Sequence, residues 1–269
     1  MFQKHKLKKQ IIEKFSNGKK TIMNILLIGY EATDFPRKRL SKYKSKFFSF
    51  NIIKETYRNI HVKPSSEKTL LLTYSKDDLL NACLEKSTAN EMCIAIINQK
   101  VDGGSYGSAL DYDERFFYLS FYGTRRILRE NNIGVFNFIL NAAYRNFLRY
   151  KCKNNLMHDD IYGCIFDKCM DDYINYIALS ASKASICDFC KKKITPLLCE
   201  RTGLESFEAN NIINRIEKEL KIVKMTPYFR LQKWVYENPK RIKFMLGLSA
   251  LASFILGALA SLLIAFLVR

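Results

Sequence analysis

Residues 93–98, CIAIIN, and residues 116–122, FFYLSFY, decide how this chain folds. Both are short apolar runs rich in β-branched or aromatic residues. The turn formers Asp102-Gly103-Gly104 and Gly107 lie between them. Runs of this length, bounded by turn signals, read as strands. Working outward, Ile22–Ile28 (IMNILLI) and Thr69–Thr73 (TLLLT) have the same character. These two and CIAIIN read as buried strands. Helical stretches fall between them: a weak one over 38–47, and a clearer one over 76–85 (KDDLLNACLE) with Ser75 as its N-cap. Beyond the strands, 137–150 (NFILNAAYRNFLRY) sets Phe138, Ile139, Ala142, Ala143, Phe147 and Leu148 at helical spacing. Residues 206–223 form an amphipathic helix capped by Ser206. The order β, α, β, α, β, β, α predicts an α/β fold, a mixed sheet with flanking helices.

Phe244 to Val268 is a run of 25 residues without a charge, followed only by Arg269. At about 1.5 Å per residue it crosses roughly 30 Å of hydrocarbon as one transmembrane helix. The expected organisation is therefore a basic arm (1–20), an α/β domain with a metal site (21–204), an amphipathic helix and basic juxtamembrane segment (205–243), and the span (244–268). No secretory signal is visible, since the first apolar stretch, Ile22 to Gly29, is short and lacks a small-residue cleavage site. The Lys/Arg excess before the span predicts a single-pass protein of the cell membrane with its soluble body cytoplasmic. Within the span, Ser249, Ser253, Gly257, Ser261 and Ala265 recur every four residues. Such a ridge of small side chains favours self-association.

The formal net charge is +18, and it is clustered. Met1 to Lys20 holds seven Lys against one Glu, and Arg37 to Lys46 holds six basic residues and no acid. Lys221 to Lys243 holds seven basic residues against Glu237 alone. Charge in blocks favours polyanions, and for a membrane-held chain the nearest is an anionic phospholipid surface, worth about 1 kcal/mol per basic residue. Arg37, Lys38, Arg39, Lys42, Lys44, Lys46, Lys233, Lys240, Arg241 and Lys243 are the candidate lipid-binding residues. Direct binding of nucleic acid ranks behind this; it would use basic clusters interleaved with Tyr43, Phe47, Phe48 and Phe50. Trp234 and Tyr236 have the character of an interfacial collar.

Eight cysteines in a reducing compartment point to thiols or metal ligands rather than disulfides. Cys187-Asp188-Phe189-Cys190 is a CxxC, and Cys164 and Cys169 precede Cys187 by 23 and 18 positions. Two ligand pairs on separate turns suit a tetrahedral structural zinc in a cysteine-rich knuckle. Cys83, Cys93 and Cys199 read as core residues. The CxxC is followed by three lysines and Pro196, which suits a knuckle-like turn rather than the start of a long helix in a redox motif. Asp111, Asp113 and Glu114 read as caps and loop solvation.

From about Met23 to Ile194 the chain resembles the archaemetzincins, zinc metallopeptidase-like proteins of the metzincin type. The resemblance rests on MNILLIG, CIAIINQKVDGGSYGSAL, FFYLSFYGTRRILR, GCIFD and CDFCKKKI, in that order. It implies a metzincin-like sheet and a cysteine-bound structural zinc with Cys164, Cys187 and Cys190 as ligands. Cys169, Cys152 and His158 are the candidates for the fourth position. That family carries HExxHxxGxxH on its active helix. Set on Asn137 to Cys152, the motif's ligands and general base meet Asn141, Ala142, Arg145 and Lys151. The resemblance therefore implies an inactive relative, not an enzyme, fused to a membrane anchor.

The expected function is a membrane-anchored effector that binds anionic lipid or a protein partner and perturbs the bilayer by oligomerising. In architecture it is similar to toxic membrane subunits of prokaryotic antiviral defence systems, including those that work with Argonautes, which implies abortive infection and a partner of that kind. A membrane-tethered nucleic-acid binder or adaptor is the alternative, and a metallopeptidase ranks last.

Overall fold

β1 (Thr21–Ile28), β5 (Met92–Ile97) and β8 (Phe116–Ser120) are buried along their length, with Ile22 the one exposed side chain among them. A strand covered on both faces has no solvent side to favour polar residues, which is why these stretches are apolar almost throughout; the interior exception, Asn24 of β1, donates to Lys86 O and Glu91. In this computed structural model β5 lies between β1 and β8, and all three run parallel. β2 (Phe48–Glu55) adds in parallel outside β1, and β7 (Gly107–Ala109) adds antiparallel outside β8, giving the order β2-β1-β5-β8-β7. A smaller sheet takes β3 (Val62–Pro64), β4 (Leu72–Tyr74) and β6 (Lys100–Val101) in the order β3-β4-β6. The structure describes residues 10–15, 19–29, 35–55, 62–64, 72–102, 107–158, 164–167, 185–220, 231, 234–235 and 238–267.

The α/β class and mixed sheet agree with the sequence; the identity of one strand does not. The TLLLT stretch contributes only its end to the described residues, and there β4 belongs to the small sheet. The outer strand of the main sheet is FSFNIIKE, which sequence reading passed over. Its Ser49, Asn51 and Lys54 are exposed while Phe48 is buried, the mixed pattern of a strand at a sheet edge rather than at its centre.

α1 (Arg37–Ser41) is shorter than the expected 38–47. After it Lys42, Lys44 and Lys46 stay in solvent while Tyr43, Ser45 and Phe47 turn inward, an alternation a helix cannot make. α2 (Lys76–Glu85) matches its expected span, and Ser75 Oγ accepts the Asp78 N–H at 3.1 Å. Its Leu79 and Cys83 pack with Leu26, Ile28, Cys93, Ala95, Ile97, Phe116 and Tyr118 on one face of the sheet. α3 (Thr124–Glu130) follows β8, and α4 (Val135–Cys152) then supplies the other layer. The Phe138 ring meets Phe121 edge-on at 5.4 Å, and Tyr144 and Phe147 meet Phe48 at 4.9 and 5.5 Å. Arg149 donates to Glu114 at 2.8 Å in a buried ion pair and lies over the Phe117 ring. Glu114 is thus a core partner, whereas Asp111 caps its turn by accepting from the Arg115 and Phe116 N–H groups.

α5 (Asp188–Thr202) ends at Gly203, whose φ of 64° is the left-handed conformation that glycine adopts without strain. α6 (Ser206–Leu220) follows and packs on α5, burying Ala209, Ile212, Ile213, Ile216 and Leu220. Ser206 is its first residue rather than its cap: Glu205 precedes the helix and donates its N–H to Glu208 at 2.9 Å. Glu219 then ties α6 to the body, accepting from Ser45 Oγ at 2.8 Å, from the Lys46 N–H at 3.1 Å and from the Tyr144 hydroxyl. Burial, and then the Glu219 charge, raise the Tyr144 phenol far above its ordinary value. It therefore stays a donor. Tyr144→Phe removes that donor from a carboxylate and should cost about 1.5–3 kcal/mol in chemical denaturation. The outer Tyr43→Phe, which touches Tyr144 rather than the carboxylate, should cost about 1 kcal/mol or less.

The chain divides into two units, Met1–Thr226 and Pro227–Arg269. The second contains α7 (Pro239–Leu267), a single helix of 29 residues.

Candidate metal centre and membrane helix

Three segments supply the cysteine-rich site. Leu156 to His158 follows α4, and the His158 N–H donates to Phe166 O at 3.1 Å. That contact sets the histidine beside the turn Cys164–Asp167, which closes on itself as the Asp167 N–H donates to Cys164 O at 3.2 Å. Ser185 to Cys187 runs alongside, bridged to the turn by Ile165 N–H to Ser185 O at 2.9 Å. Cys187 caps α5, its sulfur accepting the Cys190 N–H at 3.4 Å, so both cysteines face one side of the helix start.

His158, Cys164, Cys187 and Cys190 converge, each presenting one ligand atom within 4.8 Å of all the others. The donor set matches Cys₃His zinc, for which metal–sulfur and metal–nitrogen bonds of about 2.3 and 2.0–2.1 Å give tetrahedron edges of about 3.8 Å (S–S) and 3.5 Å (S–N). The observed Cys164 Sγ–Cys190 Sγ and Cys187 Sγ–His158 Nε2 separations are 3.8 and 3.5 Å. The Cys187 N–H also points at Cys164 Sγ, at 3.5 Å. The Cys190 thiol beside Cys164 holds it down to about 5, and the Cys164 thiolate pushes Cys190 up. Burial raises the half-buried Cys187. One thiolate is thus already favoured here, as cation binding requires.

Of the candidates for the fourth position, His158 is in the cluster. Cys152 is 1 % exposed at the end of α4, outside the cluster, where burial pushes its thiol up to about 12. Cys169 lies outside the described residues. The CxxC needs one correction. It does open a long helix, α5, which runs through Pro196 despite the proline. A mid-helix proline costs about 3 kcal/mol; burial of Cys190, Ile194 and Leu198 on one side of α5 offsets it. What sets this site apart from an isolated CxxC is the arrival of His158 and Cys164. Cys83 and Cys93 are core residues as expected, but Cys199 is half-buried.

On α4, Asn141, Ala142 and Arg145 are 1 %, 2 % and 5 % exposed, packed within the body. Lys151 is half-buried, and burial lowers its amine.

Among the basic residues, Lys38, Arg39, Lys42, Lys44 and Lys46 are exposed, and Arg37 is half-buried. None of the six forms an ion pair among the described residues. Arg39 lies over the Phe136 ring at 3.9 Å. Phe47 and Phe48, each 1 % exposed, are core residues and present no ring for a base to stack on. Lys233 and Tyr236 lie outside the described residues.

α7 begins before the apolar run, so Lys240, Arg241 and Lys243 form its exposed first turn rather than a separate segment. It is long and apolar enough to cross a membrane. Its length, about 43 Å, matches a bilayer including headgroups. The small residues do not form a straight face. Four-residue steps advance about 40° each on a 3.6-residue helix, so Ser249 and Ala265 stand roughly 160° apart. The hydroxyl of Ser261 donates to Gly257 O at 2.9 Å within its own helix, leaving packing as its main contribution to any partner.

The chain matches no protein-family model, no curated protein and no solved structure.

Proposed function

We propose that this chain is a non-enzymatic membrane effector: a zinc-stabilised α/β body, tethered by α7, that engages anionic phospholipid and acts by assembling α7 in the bilayer. The observation that carries this reading is the pairing of an apolar 29-residue helix with two cationic blocks that form no ion pair among the described residues, one on the body and one at the start of that helix. Cations in a first turn oppose the helix dipole. Lipid phosphates at headgroup depth remove that penalty. A partner helix crossing α7 at an angle can follow the spiral of small residues through Ser253, Gly257 and Ser261, and nothing lies within 4 Å of a Cβ placed at Gly257.

Two features support a structural rather than catalytic metal. Four protein ligands close the coordination sphere, whereas catalytic zinc keeps an open position. The archaemetzincin-like reading places Asn141, Ala142 and Arg145 where ligands and base belong, and these side chains are packed away. The motifs that carry that resemblance lie, in order, on β1, β5 to β7, β8 with α3, and the metal cluster. A cytoplasmic body, a partner protein of the Argonaute-associated kind and a place in antiviral defence complete the proposal by analogy of architecture.

Liposome flotation tests the lipid component. The body without residues 239–269 should float with vesicles containing phosphatidylserine, and remain unbound to phosphatidylcholine alone. Changing Lys42, Lys44 and Lys46 to Glu should abolish flotation, since each basic residue is worth about 1 kcal/mol. Equal binding to both vesicle types would sink the claim. A salt-steep shift of RNA or DNA by the body, with no vesicle binding, would favour the nucleic-acid alternative.

A further inference from the structure

The four members of the metal cluster are unequal in exposure. Cys164 and Cys190 are buried at 1 % and 0 %, whereas Cys187 is half-exposed at the start of α5. Elsewhere Cys83, Cys93 and Cys152 are enclosed, at 0 %, 0 % and 1 %. An oxidant arriving from solvent therefore meets a metal-ligating sulfur before any core cysteine. Cys190 stands one helical turn from Cys187, with its N–H already on that sulfur at 3.4 Å. Residues three apart at a helix start bring their Cα atoms within disulfide range, about 4.4–6.8 Å.

We propose that this centre is a peroxide-responsive thiol switch, in which Cys187 is the sulfur oxidised first and Cys190 the one that resolves it. The inference rests on the zinc reading above. The co-reactant is a hydroperoxide. The Cys187 thiolate attacks the distal peroxide oxygen, an S–O bond forms, the O–O bond breaks, and hydroxide (or alkoxide) leaves. The Cys190 thiolate then attacks the sulfenic sulfur, so that an S–S bond forms, the S–O bond breaks, and a second hydroxide leaves. Two thiolates lose two electrons in all and one peroxide gains them. With Cys187 and Cys190 joined, only Cys164 and His158 would remain to hold a zinc ion. The same event reaches α6, because Glu217 holds both the Ile186 N–H at 3.1 Å and Lys191 at 3.0 Å, on either side of the cysteine pair. Oxidation thereby loosens the junction between the metal turn and the α5–α6 pair.

The test uses the purified full-length chain in detergent micelles. Zinc content is measured first by elemental mass spectrometry; a chain without zinc overturns the metal reading itself. With zinc present, an equimolar dose of hydrogen peroxide should release it stoichiometrically. A Cys187–Cys190 disulfide should appear in the non-reducing peptide map, and dithiothreitol with added zinc should restore the starting state. Cys199→Ser should respond as the parent does. Cys187→Ser should lose zinc to peroxide roughly ten-fold more slowly; because that variant removes a ligand and can fail to fold, the peptide map of the parent chain is decisive. Zinc retained while peroxide is consumed elsewhere, or zinc released without that disulfide, overturns the switch and leaves the structural zinc standing.

Discussion

Stripping the metal with a strong chelator should lower the melting temperature of the body by on the order of 10 °C or more. A closed zinc site contributes an apparent binding free energy of about 10–16 kcal/mol in small peptides at neutral pH, comparable to the whole stability of a domain at about 5–15 kcal/mol. Here the cost is softened because the core built on β1, β5 and β8 shares no residue with the His158, Cys164, Cys187 and Cys190 cluster. The turn Cys164–Asp167, the start of α5 and the residues after α4 have no comparable apolar anchor of their own beyond Leu156, Ile165, Phe166 and Ile186. With roughly 2–4 °C of melting temperature per kcal/mol for a body of this size, a loss of several kcal/mol gives the stated shift. Cys164→Ser and Cys190→Ser should reproduce it without chelator. Circular dichroism melts in the presence and absence of chelator provide the readout; superimposable curves would mean that the cluster is four well-packed side chains and nothing more.

Replacing Leu256 and Leu259 with lysine should take the chain out of the membrane altogether. Both side chains are exposed midway along α7. A lysine at the centre of a span costs about 2.5–3.5 kcal/mol on insertion scales, so the pair opposes insertion by roughly 5–7 kcal/mol. Fractionation after alkaline extraction should find the parent chain in the membrane pellet and the double variant in the supernatant. Recovery of both in the pellet would show that something other than α7 holds the protein there.

The strands that were legible in the sequence are those buried on both faces, because there the apolar run survives almost whole, with Asn24 of β1 its interior exception. FSFNIIKE escaped notice since an edge strand carries polar residues among its apolar ones, and since it follows a cationic stretch that dominates local composition. TLLLT is a strand at its described end, as read, but apolar content says only that a segment is covered, not which sheet covers it. At the metal centre the CxxC spacing announced Cys187 and Cys190, while His158 was one of three candidates. Only the pairing of His158 with Phe166 and of Ile165 with Ser185 brings it to the cluster, and such bridges leave no periodic trace. Glu219 and Tyr144 were not seen at all. They come from helices 75 residues apart, and each looks like an ordinary polar residue on its own helix.

The central claim is that the body and α7 act together on the bilayer, and membrane potential tests it most directly. Cells expressing the full chain, the body without residues 239–269, α7 alone, or the full chain with leucine at Ser253, Gly257 and Ser261 would be followed with a potential-sensitive dye. Depolarisation is expected from the full chain only, with the leucine variant inserted but silent. Polarised cells under the full chain, or equal depolarisation by α7 alone, would contradict it.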